Sequence, residues 1–195
     1  MIKVVAFNGS PREKSNTGMA LTIVLEELKK EGIQTELVSL AGKSIPGCNA
    51  CGKCFELKDR QCIQKNDPLN EYLGKIFEAD GILLGSPVYY ADITANMKAL
   101  IERVGYVSGA NNAALKYKVG AAVTVVRRGG AIHSFDSINH LFLISQMIIP
   151  GSRYWNVMIG RDPGDVLNDR EGVQTMEILG QNMAWLLKKL HIDKL

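Results

Sequence analysis

The chain has 195 residues, 46% of them hydrophobic and 22% charged, with a formal net charge of +3. This is ordinary globular composition, expected as one domain over 1–195 with apolar mass enough for a sizeable core. Basic residues are spread along the chain instead of forming a tail or stripe, which excludes nucleic acid as the main partner.

The N-terminal apolar run, Val4–Phe7, is too short for a signal peptide, and no stretch approaches the roughly 18 apolar residues that span a bilayer. The reading is therefore cytoplasmic, with no membrane partner and with thiols kept reduced. In chain order, Ile2–Phe7 is a short apolar and β-branched strand broken by Gly9, Ser10 and Pro11. From Asn16 the spacing of Leu21, Val24, Leu25 and Leu28 predicts a helix, ended by Gly32, and Gln34–Leu40 is a second strand. A cysteine-rich segment over 45–66 follows and has no periodicity of either kind. Asn66-Asp67-Pro68 marks a helix start, with Asp67 as N-cap and Pro68 as the first helical residue. Asp80–Gly85 is the third strand, Met97, Leu100, Ile101 and Val104 mark a helix, and Lys118–Val126 is the fourth strand. A helix over Ile132–Gln146, a fifth strand within Ile148–Ile159 and a last helix from Glu171 to Leu190 complete the chain.

Five alternations of strand and helix predict an α/β fold, a three-layer sandwich with a parallel sheet covered on both faces. The doubly wound, flavodoxin-like order 2-1-3-4-5 suits this length, with the cysteine loop inserted after strand 2. In that order ligands bind at the carboxyl ends of strands 1 and 3, where the winding reverses.

After strand 1 the loop reads Asn8-Gly9-Ser10-Pro11-Arg12-Glu13-Lys14-Ser15-Asn16-Thr17 and opens a helix. Hydroxyls of Ser10, Ser15 and Thr17, the Asn16 amide and free N–H groups at the helix start form a cup for a monophosphate. A capped helix with a polar loop is the alternative. Gly42-Lys43-Ser44 is not a P-loop, because Leu37 stands where that motif needs glycine, and no G-x-G-x-x-G follows strand 1. After strand 3, Ser86-Pro87-Val88-Tyr89-Tyr90 offers a rigid turn, N–H groups left free beyond Pro87, and two aromatic faces. The tyrosines could equally cover the end of the sheet.

All four cysteines fall within fifteen residues as Cys48-x2-Cys51-x2-Cys54-x7-Cys62. A compact C-x2-C-x2-C run with a fourth thiol at loop-closing distance fits an iron–sulfur cubane, and Gly47 and Gly52 let the backbone curl around it. A zinc site, a redox disulfide and idle thiols remain alternatives. Cys54-x5-Arg60 matches a phosphatase loop only formally, since it has no glycine and follows no strand. His133, His140 and His191 lie far apart, so no catalytic acid–base pair is expected.

"NGSPREKSNT" and "GSPVYYADITANMKALIER" closely resemble the NADPH-dependent FMN reductase group of flavodoxin-like proteins. With the cysteine run between them, the chain resembles, over nearly its whole length, the iron–sulfur flavoprotein family of anaerobic archaea and bacteria. The seven residues before the last cysteine are at the long end of that family's spacing. The resemblance implies FMN with its phosphate on Ser10, Pro11, Arg12, Ser15, Asn16 and Thr17. The isoalloxazine would lie against Ser86, Pro87, Val88, Tyr89 and Tyr90, with Arg127 and Gly129 of the loop after strand 4 also reaching the flavin.

It further implies a [4Fe–4S] cluster on Cys48, Cys51, Cys54 and Cys62, and electron transfer between the two groups. The donor would be ferredoxin or NAD(P)H, and the acceptors small molecules such as quinones or oxygen species. Homodimers or homotetramers would bring one subunit's cluster loop near another's flavin. A cluster-free NAD(P)H-dependent FMN or quinone reductase is the alternative function, and a non-catalytic FMN-binding regulator the third.

Overall fold

The apolar runs pair as five parallel strands in a computed structural model of the chain, which describes residues 1–192. The strands are β1 (Lys3–Asn8), β2 (Gln34–Ser39), β3 (Gly81–Pro87), β4 (Val119–Val126) and β5 (Val157–Ile159), in the order β2-β1-β3-β4-β5. This is the expected flavodoxin-like order, with the cysteines after β2. The last three residues of the 1–195 span lie outside the described residues.

Strand periodicity divides the core in two. Val4, Ala6, Leu83, Ala121 and Val123 face α1 (Asn16–Lys30) and α6 (Arg170–Ile192). Val5, Phe7, Ile82, Leu84 and Ala122 face α3 (Leu69–Glu78), α4 (Ala95–Ala110) and α5 (Ala131–Ile144). Alternate residues thus go to opposite faces and both faces are buried, which is why β1, β3 and β4 read as continuous apolar runs. Phe7 is fully buried and meets Tyr72 edge-on at 5.4 Å.

Three boundaries differ from the sequence reading for physical reasons. A five-residue helix, α2 (Lys53–Leu57), sits inside the cysteine segment and is too short to show a period. Pro68 takes the N-cap position of α3 in place of the first helical one, yet Asp67 still caps, its Oδ1 accepting from Leu69 N at 2.9 Å. β5 shrinks to three residues at the sheet edge, while Ile148 makes only an isolated parallel bridge to Val119. Among the described residues no helix is long and apolar enough to cross a membrane.

Candidate functional site

β1 delivers Asn8 to the carboxyl edge of the sheet, where its buried amide organises the following loop. Asn8 Oδ1 accepts from Ser10 N at 3.1 Å, and its Nδ2 donates to Ser15 Oγ at 3.1 Å. Ser15 caps α1, its Oγ also accepting from Gly18 N at 3.0 Å. Both bonds use Ser15 as an acceptor, so its O–H proton stays available. Among the described residues the Thr17 hydroxyl has no partner, and neither do the N–H groups of Asn16 and Thr17. These donors and the positive end of α1 give the loop an anion-binding character. The neighbouring turn is locked to it: Gly9 N donates to Gly85 O at 2.7 Å and Thr94 Oγ1 to Gly9 O at 2.8 Å. Gly9 is required here, because a Cβ would lie 2.9 Å from Gly85 O.

The N–H groups expected to be free beyond Pro87 are partly committed. Val88 N donates to Val125 O at 2.9 Å and Tyr89 N to Asp92 O at 2.8 Å, closing a tight turn over Tyr89–Asp92. Tyr90 (φ 48°) and Ala91 (φ 64°) both occupy the left-handed region, an unfavourable place for side-chain-bearing residues. Asp92 braces the turn, its Oδ1 accepting from Ser137 Oγ of α5 at 2.7 Å. Gly130 lets this turn pack closely, since a Cβ there would stand 2.8 Å from Ala91 Cα.

Between these loops lies a cleft of about 300 Å³. Ser10, Arg12, Ser15, Asn16, Thr17, Pro87, Val88, Tyr89 and Arg127 line it, so the fold gathers nine of the thirteen expected positions. Pro11, Ser86, Tyr90 and Gly129 do not border it. Ser86 is wholly buried, donating to Pro87 O and accepting from Thr94 N; Tyr90 projects fully into solvent at the turn tip.

Val125, Gly160, Arg161 and Pro163 also line the cleft and were missed from sequence. The last three follow β5, and only their place after a strand's carboxyl end signalled them. Asn16 holds that loop down: its Nδ2 donates to Asp162 O at 2.8 Å and its Oδ1 accepts from Gly164 N at 2.7 Å. The Asn16 amide is therefore spent on the protein, leaving its backbone N–H for a ligand. Arg12, Arg127 and Arg161 have no carboxylate partner among the described residues, so three cations face one cleft.

The four cysteines are free thiols and line a second cavity of about 190 Å³. Left-handed backbone at Ala50 and Gly52 curls the segment, and Ala50 N donates to Cys48 Sγ at 3.4 Å. Asn70 of α3 clamps Cys62 from both sides, accepting from its N–H at 2.8 Å and donating to its carbonyl at 2.9 Å. From α4, Glu102 accepts from Cys48 N at 3.3 Å, while Arg103 and Tyr106 border the cavity. Burial pushes the Cys54 thiol pKa up, and charge on Cys48 and Cys62 pushes it further. Among the described residues no three His, Cys, Asp or Glu side chains converge tightly enough to hold a single metal ion.

The chain matches the NADPH-dependent FMN reductase family over residues 2–162. It is 37% identical to an iron-sulfur flavoprotein of Methanocaldococcus jannaschii, with 96% of this chain and 98% of that protein covered. The chain belongs to the iron-sulfur flavoprotein family. A second iron-sulfur flavoprotein, from Methanosarcina thermophila, is 31% identical with 99% of both chains covered. Solved structures agree on the fold of this iron-sulfur flavoprotein. RosB carrying a riboflavin-phosphate-derived intermediate superposes with TM-score 0.77 at 18% identity, covering 98% of this chain and 81% of that one. An archaeal flavodoxin gives TM-score 0.61 at 16% identity, covering 96% and 99%. The protein is a flavin-dependent oxidoreductase.

Proposed function

We propose that this iron-sulfur flavoprotein holds FMN in the cleft at the ends of β1, β3, β4 and β5, and a [4Fe–4S] cluster on Cys48, Cys51, Cys54 and Cys62. It passes electrons between a reduced donor, ferredoxin or NAD(P)H, and a small acceptor such as a quinone or an oxygen species. The observation that carries the reading is that all four cysteines line one cavity on α4, the helix whose N-terminal Thr94 bonds the flavin-cleft loop.

The cleft residues fit FMN. Thr17 Oγ1, the Ser15 hydroxyl proton and the first N–H groups of α1 are unspent donors for a phosphate, and Arg12 and Arg161 add positive charge. Pro87, Val88 and Tyr89 supply the apolar and aromatic wall for a planar ring, with Arg127 at its polar side. When bound, FMN supplies two-electron chemistry, and the protein's part is to orient it and set its electrostatics.

The compact C-x2-C-x2-C run with a fourth thiol suits a cubane better than zinc, whose structural sites more usually show two separated C-x2-C pairs. One zinc ion needs all four sulfurs about 2.3 Å from a single centre. In a cubane each thiolate holds a different iron, which suits four cysteines lining one cavity of about 190 Å³. A bound cluster handles one electron at a time, which suits a ferredoxin donor. Assembly into a homodimer or homotetramer belongs to the same reading, supported by exposed Phe55, Tyr106 and Ile144 along the groove between α4 and α5.

The test is iron and acid-labile sulfide per flavin in anaerobically prepared protein. About four of each is expected. One zinc without iron overturns the cluster reading, and iron without flavin overturns the FMN site. Stopped-flow reduction by reduced ferredoxin and by NADPH, run side by side, then identifies the donor.

A further inference from the structure

Arg103, on the third turn of α4, is the largest fully buried side chain, at 1% exposure. A buried guanidinium is costly unless its charge is balanced and its donors are used. Most of that is satisfied inside the protein. Nη1 donates to Asp67 Oδ2 at 2.6 Å and to Pro46 O at 3.3 Å, and Nη2 donates to Gln64 O at 3.2 Å. These bonds fasten both ends of the cysteine segment to α4, and a purely structural role accounts for them.

Two facts lie outside that role. The buried Nε has no acceptor among the described residues, a rare state for a buried donor. Arg103 also borders the cavity that all four cysteines line. A structural ion pair needs neither an idle Nε–H nor a place on the wall of a thiol-lined space. Sulfur ligands in that space are the acceptor chemistry the unpaired donor lacks. A guanidinium stays protonated in a protein, and the Asp67 carboxylate at 2.6 Å balances its charge, so the side chain is a buried cation.

We infer that Arg103 sets the reduction potential of the cluster, donating Nε–H to a sulfur of the cluster or its ligands and placing a buried positive charge beside it. The inference rests on the cluster reading above. On reduction the cluster gains one electron and one negative charge, with no bond made or broken and no proton required. A cation and an N–H···S bond favour the more negative state, so they raise the potential.

The experiment compares wild type, Arg103→Lys and Asp67→Asn, each loaded anaerobically with iron and sulfide. Iron content and circular dichroism are recorded first. The cluster is then titrated with dithionite as the one-electron donor and followed by EPR, with the flavin followed by its absorption. Arg103→Lys keeps the charge but removes Nε–H, and is expected to lower the cluster potential. The expected shift is roughly tenfold in the reduced-to-oxidised ratio, about 59 mV for a one-electron couple, with the flavin potential unmoved. Asp67→Asn keeps an acceptor for Nη1 but removes a negative charge, and is expected to raise the cluster potential.

A loaded Arg103→Lys protein with the wild-type potential overturns the inference. If Arg103→Lys does not fold or load, Asp67→Asn decides, and a potential that fails to rise overturns it. Wild-type protein that binds no iron removes the parent reading, and the inference falls with it.

Discussion

Ser15 and Thr17 stand two residues apart in the same loop and do different work. Ser15 is an N-cap whose oxygen accepts from Gly18 N and Asn8 Nδ2, whereas the Thr17 hydroxyl has no hydrogen-bond partner among the described residues. Thr17→Ala is therefore expected to weaken FMN binding by about 1 kcal/mol, one hydrogen bond's worth, without changing the thermal midpoint. Ser15→Ala is expected to lose about 1 kcal/mol of fold stability through the cap, in addition to any loss of flavin. Fluorescence titration of apoprotein with FMN, run beside thermal melts, separates the two effects; a Thr17→Ala protein that binds FMN normally moves the phosphate elsewhere. Ser10, Ser15 and Thr17 were legible as cleft-lining residues because they follow β1 at the point where the winding reverses. The division of labour was not. Asn16 looked like a phosphate ligand, but its side chain is consumed by the backbone of Asp162 and Gly164, 146 and 148 residues away, a contact no local pattern encodes. Val88 N–H was likewise taken by Val125 of the neighbouring strand.

Helices with a long apolar stripe were readable because the 3.6-residue period repeats several times within them. α1 begins at Asn16 as its cap predicts, and α6 extends by one or two residues beyond the expected ends. What lacks length lacks signal: five-residue α2 and three-residue β5 have no period to detect. The expected end of the fifth strand, Ile159, matches β5, but Gly160 and Arg161 carry no motif of their own, so they were missed in the cleft. How closely elements approach was equally hidden. Gly180 of α6 sits where a Cβ would be 2.6 Å from Glu27 Cβ and 2.8 Å from Val24 O of α1. Gly180→Ala gains about 1 kcal/mol of helix propensity but overpacks against backbone at a cost of about 1–3 kcal/mol. Overpacking wins, so a lower thermal midpoint is expected, and an unchanged or higher one refutes the close contact. The same interface carries a titrating group. Glu27 is held below the ordinary carboxylate pKa of 4.5 by its bonds to Lys30 and to Gln181 of α6, against the opposing effect of burial. A lowered folded-state pKa adds stability that is full above about 4.5 and is lost as pH falls through the lower folded value. Glu27→Gln is thus expected to melt earlier than wild type at pH 7, with the gap closing below pH 4.5; a gap independent of pH contradicts this linkage.

At the scale of the molecule, α4 joins two sites that are otherwise built from different parts. Its cap, Thr94, bonds Gly9 in the flavin-cleft loop, while Arg103, nine residues on, borders the cysteine cavity. At 1.5 Å per residue these points are about 14 Å apart along the helix axis. The cleft takes its residues from loops at the carboxyl ends of β1, β3, β4 and β5; the cavity takes its residues from 48–63 and the middle of α4. Strand order alone pointed to the first site, because reversal of the winding between β1 and β3 opens a crevice there. Cysteine spacing alone pointed to the second, but their relation through α4 needed three dimensions. Separate construction has a measurable consequence. The Cys51 side chain is exposed and lies outside both hydrophobic clusters, so Cys51→Ala removes one of the four proposed cluster ligands without opening a hole in the core. Iron is expected to fall to a small fraction of wild type while flavin stoichiometry, far-UV circular dichroism and the thermal midpoint of the flavin-bound protein hold. The flavin is also expected to remain reducible by dithionite, since its cleft has none of the cysteines in its lining. Joint loss of iron and flavin would mean that the cysteine segment supports the β1 and β3 loops, through the Asn96 bond to Lys43 O at 2.8 Å or the Arg103 bonds that anchor it to α4. Asn96→Ala distinguishes these routes, because it cuts the first and leaves every cysteine and Arg103 in place.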